Sequence, residues 1–165
     1  MQLYGSRKIA DRDLSIVGKY INEIPVRLGA MAKELGIQVK VSSLPSNYSG
    51  LIRKINTGYE IKINRYESRE RQRFTLAHEI AHFLLHREII DNTNDGIKDT
   101  VLYRSDQPQI IEFEANKLAA DLVMPKFLVD QKMEIFNHRI TEDEISTLAK
   151  DFGVSKVAME IRLGQ

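Results

Sequence analysis

The chain has 165 residues, with 24 basic and 23 acidic side chains and a net charge of +1. That length suits one domain, or one domain with a small appendage, and an apolar content of 42% is enough for a core without covalent staples. The near balance of charge gives no whole-molecule pull toward nucleic acid or membrane. The complete absence of cysteine excludes disulfides, thiolate-ligated metal and a cysteine nucleophile.

Met1 to Asp13 contains no apolar run of signal-peptide length, and no later stretch approaches the ~18 apolar residues of a membrane span. The expectation is therefore a soluble, cytoplasmic protein without a membrane partner. In chain order, Leu14, Val17, Ile21 and Ile24 recur at helical spacing. Pro25 suits the first turn of a second helix that passes Met31 and Leu35 and stops at Gly36. Ile37, Val39 and Val41 alternate with polar residues as in a strand, and Leu51–Asn56 and Tyr59–Asn64 read as two more, joined at Thr57-Gly58. These segments predict a small three-stranded sheet.

From Arg69 the apolar period lengthens to about 3.6, with Phe74, Ala77, Ala81 and Leu84 or Leu85 on one face of a helix ending near Arg87. Arg65, Arg69, Arg71 and Arg73, interleaved with Glu67 and Glu70, read as its solvated start. Asp91 to Pro108 is rich in Asn, Asp and Gly and reads as a long loop, a length often tied to function. A helix over about Gln109–Val123 follows, then another through about Phe136. Thr141 and Glu144 have capping-box spacing, opening a helix that Gly153 closes, and Ser155 caps a last short one. The fold class expected is α+β and mostly helical. Residues 1–13 form an N-terminal extension, 14–140 the main domain, and 141–165 a C-terminal helical hairpin packed on it.

The chemistry is concentrated in His78-Glu79-Ile80-Ala81-His82. Residues four apart on a helix differ by only about 40° in direction, so both imidazoles can reach one cation. Imidazole suits zinc, and three protein ligands plus water define a catalytic zinc site. Glu79, about 100° around the helix from His78, flanks the metal. There it can act as general base on water that the metal makes more acidic. The reading is a metallopeptidase with one Zn2+ per chain.

A third protein ligand has three candidate sources. His86 lies ~12 Å along the helix axis from His78, too far for one tetrahedral ion, and reads as a helix C-terminal residue favoured by the macrodipole. His138 sits among polar residues with no partner at ligand spacing. The third source is the helix Ile110–Val123, where Ile111, Ala115, Leu118, Ala119 and Leu122 form the apolar face. Glu114, Lys117 and Asp121 fall together as a solvated stripe. Glu112 and Asn116 lie at the edge of the apolar face, which makes Glu112 the metal ligand and Asn116 a group that orients one imidazole.

The run Arg71-Gln-Arg-Phe-Thr-Leu-Ala-His-Glu-Ile-Ala-His-Phe-Leu-Leu-His86 resembles the signature of the ImmA/IrrE family of bacterial and phage metallopeptidases. Glu112-Phe-Glu-Ala-Asn-Lys-Leu-Ala-Ala-Asp-Leu-Val-Met-Pro125 is similar to a second family motif, and the stretch from Leu148 to Ser155 resembles its closing helices. The resemblance covers roughly residues 15 to 163. It implies a gluzincin-like zinc peptidase (HExxH), hence a zincin-like domain over 14–140, with His78, His82 and Glu112 on zinc and Glu79 catalytic. It also implies a partner: a helix-turn-helix repressor as substrate, whose cleavage derepresses mobile-element, prophage or stress genes. An oxyanion formed during cleavage needs a further donor, and Tyr103 in the long loop is the candidate.

Two other readings compete. One is a non-catalytic antirepressor that sequesters the repressor, against which the intact Glu79 argues. The other is a DNA-binding module built on Glu144–Arg162, which mimics a helix-turn-helix. Its second helix would offer only Lys156, Glu160 and Arg162 as charged groups, so direct nucleic-acid binding is not expected.

Overall fold

The structure is a computed structural model, and it describes residues 3–94, 96–100, 109–136 and 140–164, with the side chains of Asp99 and Thr100 left aside. It is mostly helical with one small sheet, an α+β fold. Helix α1 (Asp11–Tyr20) and helix α2 (Leu28–Glu34) precede strands β1 (Ile37–Ser42), β2 (Tyr48–Ile55) and β3 (Gly58–Asn64). Then come α3 (Arg69–Leu85), α4 (Arg87–Asn92), β4 (Ile97–Thr100), α5 (Gln109–Val123), α6 (Lys126–Ile135), α7 (Glu142–Phe152) and α8 (Lys156–Leu163). Among the described residues no helix is long and apolar enough to cross a membrane.

Three details differ from the sequence expectation. The sheet has four strands, in the order β1-β3-β2-β4, not three. The fourth, β4, and the end of α4 occupy part of the segment expected as a loop from Asp91. A four-residue strand with Ile97 as its one buried apolar side chain gives too little alternation to be read in advance. Pro25 does not open α2: it lies in the link, with Val26 buried beside it, and the helix begins at Leu28.

The sheet is mixed, with β1 parallel to β3 and β2 antiparallel to both β3 and β4. Alternation gives it two unlike faces. Ile52, its register partners Ile61 and Ile97, and Ile63 opposite Gly50 point into the core. On the other face Glu60 of β3 is held by Arg53 at 2.7 Å and Lys40 at 2.6 Å. Hydrogen bonding from Lys40, then from Arg53, keeps the Glu60 carboxyl below its ordinary range against the opposing effect of burial.

Helix α3 lies between this sheet and α5. Ser68 caps its start by accepting from the Arg71 N–H at 3.2 Å. Its arginine-rich first turns are only partly solvated as expected. Arg73 donates to the carbonyls of Val26 at 2.6 Å and Phe152 at 3.3 Å, tying the link before α2 to the end of α7. The second half of α3 is buried on every side: Ala77 through Leu84 are all buried, polar residues included. Helices α7 and α8 close the same core through Ile145, Leu148, Phe152, Val154 and Met159. The Thr141–Glu144 capping box, the left-handed Gly153 and the Ser155 cap stand where the sequence places them.

Gly50 fixes the distance between β2 and α3. A Cβ built there would lie 2.6 Å from Thr75 Cγ2 and 2.9 Å from the Lys62 carbonyl oxygen, closer than packing allows. Gly50→Ala should therefore destabilise the fold by about 1–3 kcal/mol through overpacking, read as a lower midpoint in thermal or urea unfolding. An unchanged midpoint would show that the strand can move away from α3.

Candidate metal centre

The buried half of α3 carries His78, Glu79 and His82, of which Glu79 and His82 are wholly inaccessible and His78 is 2% exposed. Helical spacing turns the two imidazoles to one side, toward α5. Their Nε2 atoms are 3.0 Å apart. Glu112 of α5 completes a triangle, with Oε2 3.2 Å from His78 Nε2 and Oε1 3.3 Å from His82 Nε2. Ligand atoms about 2.0–2.1 Å from a tetrahedral zinc ion stand roughly 3.3 Å from one another. The three donors form one candidate metal-holding group.

The hydrogen bonds behind the imidazoles favour the same use. Asn116 places its amide oxygen 2.9 Å from His78 Nδ1. An amide oxygen only accepts, so the ring hydrogen belongs on Nδ1 and the Nε2 lone pair faces the triangle. Burial pushes the His82 imidazole down to about 4, against the opposing pull of Glu112. Burial alone would raise Glu112, but hydrogens on His78 and His82 aimed at it would outweigh burial and hold the carboxyl well below the usual range; where Nε2 presents a lone pair instead, a cation does the same. Two buried imidazole nitrogens and a partly exposed carboxylate thus converge on one point. Such a set repels itself unless a proton or a cation lies between its members. The donor set and its spacing fit a divalent cation.

Glu79 points between α3 and β2, where a Cβ at Gly50 would come 3.4 Å from Glu79 Oε1. The glycine is required by Thr75 and the Lys62 carbonyl, and the Glu79 carboxylate lies at van der Waals distance from the same point. Because Gly50 is paired with Asp99, the edge strand β4 lies one strand spacing, about 4.8 Å, beyond that contact.

His86 is not in the triangle and stands at the C-terminal end of α3 as expected, where it is buried and hydrogen-bonded. It is the C-cap of α3, 7% exposed, with Nδ1 3.1 Å from His82 Nδ1 and Nε2 2.9 Å from Glu114 Oε2. Glu114 was expected on a solvated stripe with Lys117 and Asp121, but Glu114 and Asp121 are largely covered. At 100° per residue Glu114 lies about 100° from Ala115, on the flank of the apolar face and not behind it. The N-terminal segment seals that flank: Tyr4 N donates to Asp121 at 2.8 Å, and Lys8 meets Glu114 at 2.5 Å. Arg162 of α8 reaches Asp121 at 2.8 Å. The four-residue step from His82 to His86 was the available signal for this contact. Nothing in the local pattern indicates that a segment 106 residues away covers Glu114. Tyr103 and His138 lie outside the described residues.

Residues 32–164 match the peptidase family described as the IrrE N-terminal-like domain. Among solved structures, a Mycobacterium tuberculosis transcriptional regulator is similar with a TM-score of 0.58 and 15% identity, over 98% of this chain and 49% of that one. At that identity the likeness speaks to fold alone, and the chain spans about half the length of the structure it matches. No curated protein sequence matches the chain.

The depressed His82 value carries a stability consequence. Between its ordinary value of 6.5 and about 4, the unfolded chain binds a proton that the folded one refuses. Stability of the metal-free protein should therefore fall as pH drops through that window, as measured by urea unfolding at steps from pH 7.5 to 4. A flat profile would mean that the imidazole takes up its proton without leaving the core.

Proposed function

Because this chain belongs to the IrrE N-terminal-like peptidase family, we propose that it is a zinc-dependent endopeptidase acting on a protein substrate. The observation that carries this reading is the triangle of buried His78 and His82 with the half-buried Glu112, and Glu79 beside it on α3. A divalent cation bound there would polarise a scissile carbonyl and acidify a water molecule.

The roles of the chain's own residues follow from their placement. His78 and His82 present Nε2, and Glu112 presents both carboxylate oxygens, to the same point. Asn116 holds the hydrogen of His78 on Nδ1. Glu79 accepts a proton from the attacking water at its carboxylate and returns it to the leaving amine. Edge strand β4 offers backbone groups to which an extended substrate segment can add as a further strand.

The substrate we propose is a helix-turn-helix repressor, cleaved to derepress mobile-element, prophage or stress genes in the cytoplasm. A groove of about 780 Å³ supports a folded partner of this kind, because it includes Asn116 and is walled by Phe74, Phe113, Val154, Val157 and Ile161. Phe113, Val157 and Ile161 are exposed there, as a docking face for a substrate helix requires. The charged groups of α8 are engaged within the chain, Lys156 with Glu142 and Glu160 and Arg162 with Asp121. That leaves little for phosphates and weighs against the DNA-binding alternative.

Glu79→Gln separates cleavage from sequestration. The variant should keep its fold and one zinc per chain yet lose repressor cleavage by at least ~100-fold, as measured by gel-based proteolysis beside wild type. Retained cleavage would remove Glu79 as the base. Repressor binding without cleavage by wild type would favour the antirepressor alternative.

A further inference from the structure

The metal reading assigns His78, His82, Glu112, Asn116 and Glu79, and leaves a buried histidine and a covered glutamate unused beside them. We propose that His86 and Glu114 are positioning residues for the metal centre. In this arrangement Glu114 takes the hydrogen of His86 Nε2, His86 Nδ1 takes that of His82 Nδ1, and His82 Nε2 keeps its lone pair toward the cation. The inference rests on the metal reading and extends it to the second imidazole.

The polarity of this chain is fixed from its outer end. Glu114 Oε1 is held by Lys8 at 2.5 Å, and Oε2 stands 2.9 Å from His86 Nε2. An ionised carboxylate only accepts, so Nε2 of His86 donates. A neutral imidazole has one N–H, so His86 Nδ1 is then an acceptor, 3.1 Å from His82 Nδ1. His82 must supply the hydrogen from Nδ1. The opposite polarity would put a hydrogen on His82 Nε2, at the point where His78 and Glu112 converge.

The two imidazoles are thus held by different means. His78 relies on a single amide oxygen, whereas His82 relies on a relay that ends at the N-terminal segment. Burying a histidine and a carboxylate is an expensive way to finish a helix, since an apolar C-cap would avoid the desolvation. Orienting a metal ligand and raising its basicity gives the pair a purpose. The N-terminal segment, through Lys8 on Glu114, then becomes part of the metal centre's support.

The test is zinc affinity, measured by competition with a chromophoric chelator on wild type, Glu114→Leu, His86→Phe and Glu114→Gln. Glu114→Leu and His86→Phe should bind zinc about 10–100-fold more weakly. Glu114→Gln, whose amide oxygen can still accept from His86, should stay close to wild type, a rescue that loss of packing alone would not give. Nitrogen-15 spectra of wild-type imidazoles add a readout independent of any variant, with the His86 hydrogen expected on Nε2 in the zinc-loaded protein. Unchanged affinity in both Glu114→Leu and His86→Phe would overturn the relay, as would Glu114→Gln as weak as Glu114→Leu, or His86 protonated on Nδ1. A wild type that binds no zinc would instead overturn the metal reading, and the relay with it.

Discussion

The convergence of two imidazoles and a carboxylate at one buried point is the constraint on which the rest of this structure depends. Polar groups leave water at a cost that only well-aimed partners offset. The two imidazoles have such partners in Asn116 and His86, and the elements that supply them are ones that define the fold. Helix α3 provides the histidine pair, α5 provides Glu112 and Asn116, and β2 approaches Thr75 of α3 closely because residue 50 has no side chain. Helix α3 is consequently buried around its whole circumference near the site, which places the chemistry inside the molecule while β4 and the groove beside Asn116 stay at its surface.

A second consequence concerns the ends of the described chain. Leu3 and Ile9 anchor the N-terminal segment in the core, and between them Tyr4 and Lys8 reach the covered flank of α5. Arg162 reaches the same flank from α8. Segments that a linear reading assigns to an extension and to a terminal hairpin thus meet on one helix, behind the donors. Asp121, which receives both Tyr4 and Arg162, is the meeting point.

Much of this was legible in the sequence, and the reasons are local. The histidine pair, Glu79 between them, the choice of Glu112 over Glu114, and Asn116 one turn on all follow from helical periodicity. The capping box at Thr141 and the glycine stop at residue 153 follow from terminal hydrogen bonding. What was not legible depends on contacts between distant segments. β4 is too short to show alternation, and Gly50 owes its importance to Thr75 and Lys62 on two other elements. Glu114 looked solvated because a helical wheel gives one helix one partner, whereas the N-terminal segment packs on the other flank of α5, and with Glu114 the partner of His86 was hidden too. Arg73 was misread for a similar reason, its two carbonyl acceptors lying 47 and 79 residues away.

The claim that His78, His82 and Glu112 hold one divalent cation is tested most directly by X-ray absorption at the zinc edge, on protein loaded with one equivalent of zinc. The expected spectrum is a four-coordinate shell of nitrogen and oxygen at about 2.0–2.1 Å, with outer-shell scattering from two imidazoles. A six-coordinate oxygen shell, or scattering from one imidazole or three, would contradict it.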